Sequence, residues 1–548
     1  MRPEPKTFSA PAPLAFLCVL WLAFLAVRLT APPDLMDNDQ ERPAAYVLDC
    51  VRNGHWACQR DSSGEVMSKP PLSTWLAALT TLAAGGRASL IALYLPGALS
   101  VLAGAILLYF LGGAVFRGSA GFWAAFAYLV SMTSYKQLAL ARADPVFTFT
   151  VFLTAFLAFQ AWRRRAGWGW FWIGAAAATL TKGPLGILFA LGGMVAAFWE
   201  RGSGGVLPDR SDQSDQSDQS DQSDWSDRSD QSDWSDRSDR SDQSDGAGGL
   251  DGAESSGVGG GRFGHVWGIP LFLLIVGLWF WAAWRQCGQE FLDKMIGKEL
   301  IAHALHSPDT KLTWKTPFEP SLYFLSRLAP WSLLACVGIW RAFRKPAKED
   351  EERRGERFWA AYLLVGLIIL SVASHKRPDL NLPLLPAAAL LAGREISRWS
   401  RARTRRTLVL GMAGVAIAAL AGFGLYSHVL RARDPKVRQT VLVRDFANHL
   451  RAEVGEDFPF LHVDSPYALQ FFLNTMRPEI SYEEARRLLT GVPPAFVVVR
   501  RMDRFEKETG LGAAALHIVA RCPETGEAYL VVLSNQPRLE RPSVSRHR

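Results

Sequence analysis

Apolar runs of about 14 to 25 residues recur from Leu14 to Tyr426, separated by short basic clusters. A run of that length can satisfy its backbone in lipid only as a helix, so each reads as a membrane span. The spans fall at 14–29, 88–112, 118–138, 145–162, 168–181, 184–200, 266–286, 321–341, 357–373, 380–397 and 407–428, about eleven in all. Composition agrees: 49% of the 548 residues are hydrophobic, only 20% are charged, and there are 20 Trp and 31 Phe. Soluble chains carry nearer a quarter charged residues. A soluble enzyme, a secreted disulfide scaffold and a disordered chain are excluded. The expected fold class is an all-α polytopic membrane protein of about 11–13 helices, followed by a small α/β domain.

The net charge of +8 is a difference of two parts. Asp209 to Asp245 holds thirteen Asp and four Arg, a charge of −9, so the remainder carries +17. In a membrane chain that excess marks cytoplasmic loops rather than a nucleic-acid partner. Alternating from a cytoplasmic N-terminus puts Arg117, Arg163–Arg165, Arg201, the 341–357 segment and the 398–406 cluster all inside. One long helix over 168–199 would invert this and bury Lys182 at the bilayer centre, costing about 2.5–3.5 kcal/mol. Lys182-Gly183-Pro184 favours a hairpin of two short helices, because Pro cannot continue the backbone ladder.

Under that topology the loop 31–86, the connections near Arg142–Asp144, Lys182 and His375–Asp379, and the loop 285–321 face outside together. Residues 1–430 form the membrane domain and 431–548 a soluble domain, also outside. The inner loop 202–264 contains a Ser-Asp-(Gln/Trp/Arg) repeat with nothing to bury, and is expected to be disordered. In the C-terminal part, 458–463, 495–500, 516–520 and 529–533 read as strands. Residues 465–473 and 481–489 read as helices, the second opened by a capping box of Ser481 and Glu484. The amphipathic stretch 72–84 suits the membrane interface, anchored by Trp75. Of six Cys, only Cys50 and Cys58 share a predicted loop, where a disulfide is possible.

Chemistry concentrates at the outer span ends. The first outer loop reads Asp37-Asn38-Asp39-Gln40-Glu41, then Gly54-His55-Trp56, then Ser68-Lys69-Pro70-Pro71-Leu72. Carboxylates followed by a Lys in a Pro-fixed turn suit a phosphate-bearing substrate, because acids can deprotonate a nucleophile and Lys can neutralise phosphate. A solvated loop with acids at a helix N-terminus explains the same residues more plainly.

These motifs resemble the bacterial family 39-type membrane glycosyltransferases of the GT-C fold, related to aminoarabinose transferase and the protein O-mannosyltransferases. Asp39-Gln40, Gly54-His55-Trp56 and Ser68 to Leu72 follow the family order. So do Ala141-Arg142-Ala143-Asp144, Leu180-Thr181-Lys182-Gly183-Pro184, Pro317-Phe318, Pro330-Trp331 and Leu382-Pro383-Leu384-Leu385-Pro386. The resemblance spans residues 10 to 400. It implies sugar transfer from a polyprenyl-phosphate donor to a lipid, protein or glycan acceptor, with inversion, at the outer face of a bacterial inner membrane. Asp39 would be the base, with Asp144 and Glu41 as further catalytic acids. Lys69, Lys182, Arg142, Lys376 and Arg377 would hold the donor phosphate, and Glu299, His303 and His306 would contact substrate. Gln40, Ser68 and Trp314 stand where relatives carry acidic residues or His, which removes expected ligands of a divalent metal; no cofactor is certain, and a divalent ion stays an open alternative, with Asp144 as a contributor to its site. The rival readings are a flippase for lipid-linked sugars and an inactive scaffold. Transporters place ionisable groups at mid-span, whereas these sit at span ends, which favours an enzyme.

Overall fold

The computed structural model describes residues 11–36, 38–203, 259–302, 316–373, 376–454, 460–512, 515–523 and 529–537. The core of the Ser/Asp repeat loop, His303, His306 and Trp314 lie outside the described residues, as does the side chain of Glu299. The membrane part is built from α1 (Pro11–Leu29), α2 (Asn38–Leu48), α3 (Leu72–Ala83), α4 (Leu90–Phe116), α5 (Ala120–Leu129), α6 (Met132–Tyr135), α7 (Asp144–Arg164), α8 (Trp168–Lys182), α9 (Leu185–Gly192) and α10 (Val195–Ser203). It continues with α11 (Gly259–Leu292), α12 (Glu319–Arg327), α13 (Trp331–Arg344), α14 (Asp350–Val372), α15 (Leu385–Ser400) and α16 (Arg405–Leu425).

Among the described residues, six helices are long and apolar enough to cross a membrane, and the bent pair α12–α13 makes a seventh candidate. The other expected spans are carried by shorter pieces. The run 118–138 divides into α5, α6 and a 3₁₀ turn, and 184–200 into α9 and α10. This is a multi-pass membrane protein. Close approach without a hydrophobic driving force needs small residues. A Cβ on Gly121 would stand 1.9 Å from the Tyr109 carbonyl oxygen, and one on Gly393 2.4 Å from the Ala124 nitrogen. Those contacts bring α5 against α4 and α15.

The hairpin at Lys182 forms as expected. Gly183 adopts φ +93, a left-handed value open to glycine. A Cβ on Gly186 would meet Ala178 Cβ at 3.0 Å, so α9 folds back along α8 rather than continuing it.

The C-terminal part contains α17 (Pro435–Val454), β1 (Phe460–Val463), α18 (Tyr467–Leu473), α19 (Tyr482–Thr490), β2 (Phe496–Val499), β3 (His517–Cys522) and β4 (Leu530–Ser534). The strands form one sheet in the order β1-β2-β4-β3, with β1 and β2 parallel and the other pairs antiparallel. The Ser481 hydroxyl accepts from the Glu484 N–H at 3.1 Å, which caps α19. This domain does not stand apart. Val443, Phe446, Ala468 and Phe471 share one buried cluster with Leu35, Ala44, Val47 and Leu48 of the first loop and α2. Asn474 accepts from the Ala88 N–H at 3.0 Å, and the Glu479 N–H donates to the Ser62 carbonyl at 2.7 Å.

Candidate active site

Four segments distant in sequence converge at the end of the bundle that carries the C-terminal domain. Asp39 sits in the first turn of α2, where the helix N-terminus favours a carboxylate. Arg142, just before α7, straddles two aspartates: one Nη is 3.3 Å from Asp39 and the other 3.1 Å from Asp379. Arg377 reaches Asp39 at 3.4 Å. Asp144 opens α7 ahead of Pro145, and the Lys182 Nζ at the end of α8 lies 2.5 Å from its Oδ1.

Two cavities meet at these ion pairs. The larger, about 260 Å³, is lined by Asp39, Arg42, Tyr46, Lys69, Thr74 and Arg142 among others. The smaller, about 90 Å³, holds Asp144, Lys182, Thr148 and Asp379 against Phe147 and Phe189. Because Arg142 lines one cavity and its partner Asp379 the other, this pair forms the wall between them. Lys69 is also within electrostatic reach of Asp144. Cations thus face a cavity with one acidic side chain, Asp39, on its wall, an arrangement suited to a phosphate beside a base.

The structure brings Asp39, Lys69, Arg142, Asp144, Lys182 and Arg377 together. Two other assigned residues are engaged elsewhere. Glu41 is buried and does not line either cavity; its carboxylate accepts from the Ala468 N–H of α18 at 3.0 Å, joining α2 to the C-terminal domain. Lys376 donates to the carbonyls of Leu370, Ser371 and Ala373 at 2.7, 2.6 and 2.5 Å. It caps the C-terminus of α14, where a cation meets the unpaired carbonyls. Burial pushes its pKa down. Gln40 is buried and accepts from the Ala141 N–H at 3.4 Å, so the position that departs from the family pattern ties α2 to the Arg142 turn.

Three residues were missed. Arg42 and Tyr46 lie three and seven positions after Asp39, on one helix face, and that spacing was available in the sequence. Tyr46 has a buried hydroxyl without a hydrogen-bond partner among the described residues. Burial, aided by nearby Asp61, pushes its pKa above the usual tyrosine value and keeps the phenol a neutral donor. Asp379, by contrast, gave no periodic signal, because it enters the site from a 3₁₀ turn at 378–384.

The disulfide also differs from expectation. Cys58 pairs with Cys287 at the end of α11, 229 residues away, and Cys50 is a free, buried thiol whose pKa burial pushes up to about 12. Neighbouring contacts direct this pairing: the Cys58 N–H donates to Gln286 at 3.2 Å, and the Trp279 indole donates to the Ala57 carbonyl at 3.1 Å. Arg60–Glu290 at 2.8 Å and Lys294–Glu65 at 3.1 Å extend the seam between the first loop and the end of α11 with the segment that follows it. Trp75 donates within the same loop, to the Trp56 carbonyl at 2.6 Å.

Comparison with solved structures decides the fold. ArnT from Cupriavidus metallidurans bound to undecaprenyl phosphate superposes with a TM-score of 0.66 at 16% identity, covering 97% of this chain and 98% of that one. Its apo state gives 0.63 at the same identity and coverage. The chain has the GT-C fold of ArnT. Residues 68–204, 137 of 548, match the model of the dolichyl-phosphate-mannose-protein mannosyltransferase family. No curated protein sequence matches the chain. Beyond the ArnT fold, what this chain acts on must be argued from its own residues.

Proposed function

We propose that this chain is a membrane glycosyltransferase that moves a sugar from a polyprenyl-phosphate donor to a lipid, protein or glycan acceptor. The observation that carries this is the placing of Lys69, Arg42 and Arg142 on one cavity wall with Asp39. The acceptor oxygen forms a bond to the sugar's anomeric carbon as the bond from that carbon to the phosphate oxygen breaks. Asp39 takes the acceptor's proton. The electron pair leaves on the phosphate, where Lys69 and its neighbours meet the developing charge. Attack opposite the phosphate inverts the centre. Asp144 and Lys182 bound the second cavity and orient the substrate end that enters it.

The outer face of the cytoplasmic membrane fits best. A disulfide joins the first loop to the end of α11 at the active-site end, and disulfides persist in oxidising compartments. The opposite ends of α13, α14 and α15 carry Arg341, Arg353, Arg357, Arg394 and Arg398, as expected of the cytoplasmic side.

Replacing Lys69 by Ala tests the reading. Sugar release from a polyprenyl-phosphate donor is expected to fall about 100-fold, the scale of losing one charge-stabilising group. If purified wild type binds such donors yet turns none over, the carrier reading replaces this one.

The scheme assigns the phosphate charge to Lys and Arg side chains rather than to a metal. Asp39, Asp144 and Asp379 each face a cationic side chain. Turnover measured with excess EDTA is therefore expected to match turnover without it.

A further inference from the structure

A second cationic cluster lies on the flank of the site, and the transfer chemistry does not use it. The Lys136 ammonium, in the 3₁₀ turn after α6, rests 4.2 Å from the centre of the Tyr426 ring. On α6 itself, the Thr133 hydroxyl donates to the Arg327 carbonyl at 2.8 Å, which sets the end of α12 beside this turn. The guanidinium groups of Arg327 and Arg431 both bear on Lys136 electrostatically. Arg431 is neutralised by Asp34 at 2.6 Å and Asp434 at 2.7 Å. Lys136 and Arg327 make no ion pair among the described residues. Asp379, the acid that acts on Lys136 at longer range, is already held by Arg142.

Lys136 is half-buried and Arg327 is exposed beside it, and two uncompensated cations so placed repel each other unless an anion joins them. A lone interfacial Lys would simply extend its ammonium to water. Here the ammonium lies on an aromatic face, a placement that gains when the site is dry. The surrounding surface says what kind of anion fits. Met132, Leu322, Leu325, Leu425 and Leu430 are all exposed. An apolar surround beneath a pair of cations matches acyl chains below a phosphate.

We propose that Lys136, Arg327 and Tyr426 form a binding site for the phosphate headgroup of an anionic phospholipid, seated beside the Arg142–Asp379 wall of the active site. The acyl chains lie over the exposed apolar residues of α6, α12 and the end of α16.

The test is to place the full chain in phosphatidylcholine nanodiscs with graded phosphatidylglycerol and count retained lipids by native mass spectrometry. Wild type is expected to retain one phosphatidylglycerol at a mole fraction about ten-fold lower than K136A/R327A requires. K136R/R327K, which keeps both charges, is expected to behave as wild type, and single R327A serves if the double variant does not fold. Equal retention by wild type and the alanine variants would overturn the proposal, as would equal retention of phosphatidylcholine. Displacement of the lipid by millimolar inorganic phosphate would overturn a lipid as the occupant. None of these outcomes depends on sugar transfer.

Discussion

Asp39→Asn is expected to lower turnover about 1,000-fold while leaving donor affinity within about three-fold, the range for losing a general base. The substitution keeps shape and removes both the charge and the proton acceptor. Arg142 keeps Asp379 as a partner at 3.1 Å, so the wall between the cavities stays tied. Arg377 loses its Asp39 contact, but it is largely exposed and is hydrated at little cost. A loss confined to turnover therefore reports base chemistry rather than collapse of the site. Retention of more than a tenth of wild-type turnover would remove Asp39 from the base role and direct attention to Asp144 or Asp379.

The same geometry assigns Glu41 to structure. Its bond to the Ala468 N–H fixes α2 to the C-terminal domain two positions after Asp39. The first loop is thus held from three sides: by the C-terminal domain, by the Gln40 contact to the Arg142 turn, and by the Cys58–Cys287 bond. A base carried on a loop needs such restraint, because catalytic groups lose effect when they are misplaced by about an ångström.

What the sequence discloses follows the range of its signals. Apolar runs and the Ser481 capping box are local, and they locate the helices, the strands and their order. The Lys182 hairpin is equally local, since Gly183 and Pro184 permit little else. Ordered motifs bring Asp39, Lys69, Arg142, Asp144 and Lys182 to one face because they lie at span ends. Pairings across the chain carry no such mark. Cys58 selects Cys287 over Cys50 through contacts with α11 that spacing cannot express. Lys376 reads as a phosphate ligand because it lies in an outer connection between spans, yet the end of α14 claims it. The span count is blurred for a related reason: α5, α9 and α10 are too short to cross alone, and their apolar runs are completed by a neighbouring piece.

Arg341 and Arg398, from the basic clusters that set the expected orientation, flank a buried network centred on Arg394, and this network carries the largest stability effect. Arg394 is 1% exposed and serves three carboxylates: Glu356, Glu352 at 3.0 Å and Glu395 at 3.3 Å. Glu356 is fully buried and also accepts from the Ala347 N–H at 2.6 Å, while Arg341 pairs with Glu395. The network joins α13, α14 and α15 at the end away from the active site. Removing one member of a buried pair strands the other, at about 3–5 kcal/mol. Arg394→Ala, which leaves the Glu356 carboxylate without a cation, is expected to lose that much in unfolding titrated with sodium dodecyl sulfate. Arg398→Ala removes a partly exposed contact to Glu352 at 2.9 Å and is expected to cost under about 1 kcal/mol. The double variant E356Q/R394M discharges both partners together and is expected to recover most of the loss, since a buried pair replaced by neutral side chains of similar size is often close to neutral. If Arg394→Ala unfolds with the wild-type midpoint, the network does not hold the three helices, and their packing rests on small-residue contacts such as Gly393 against Ala124.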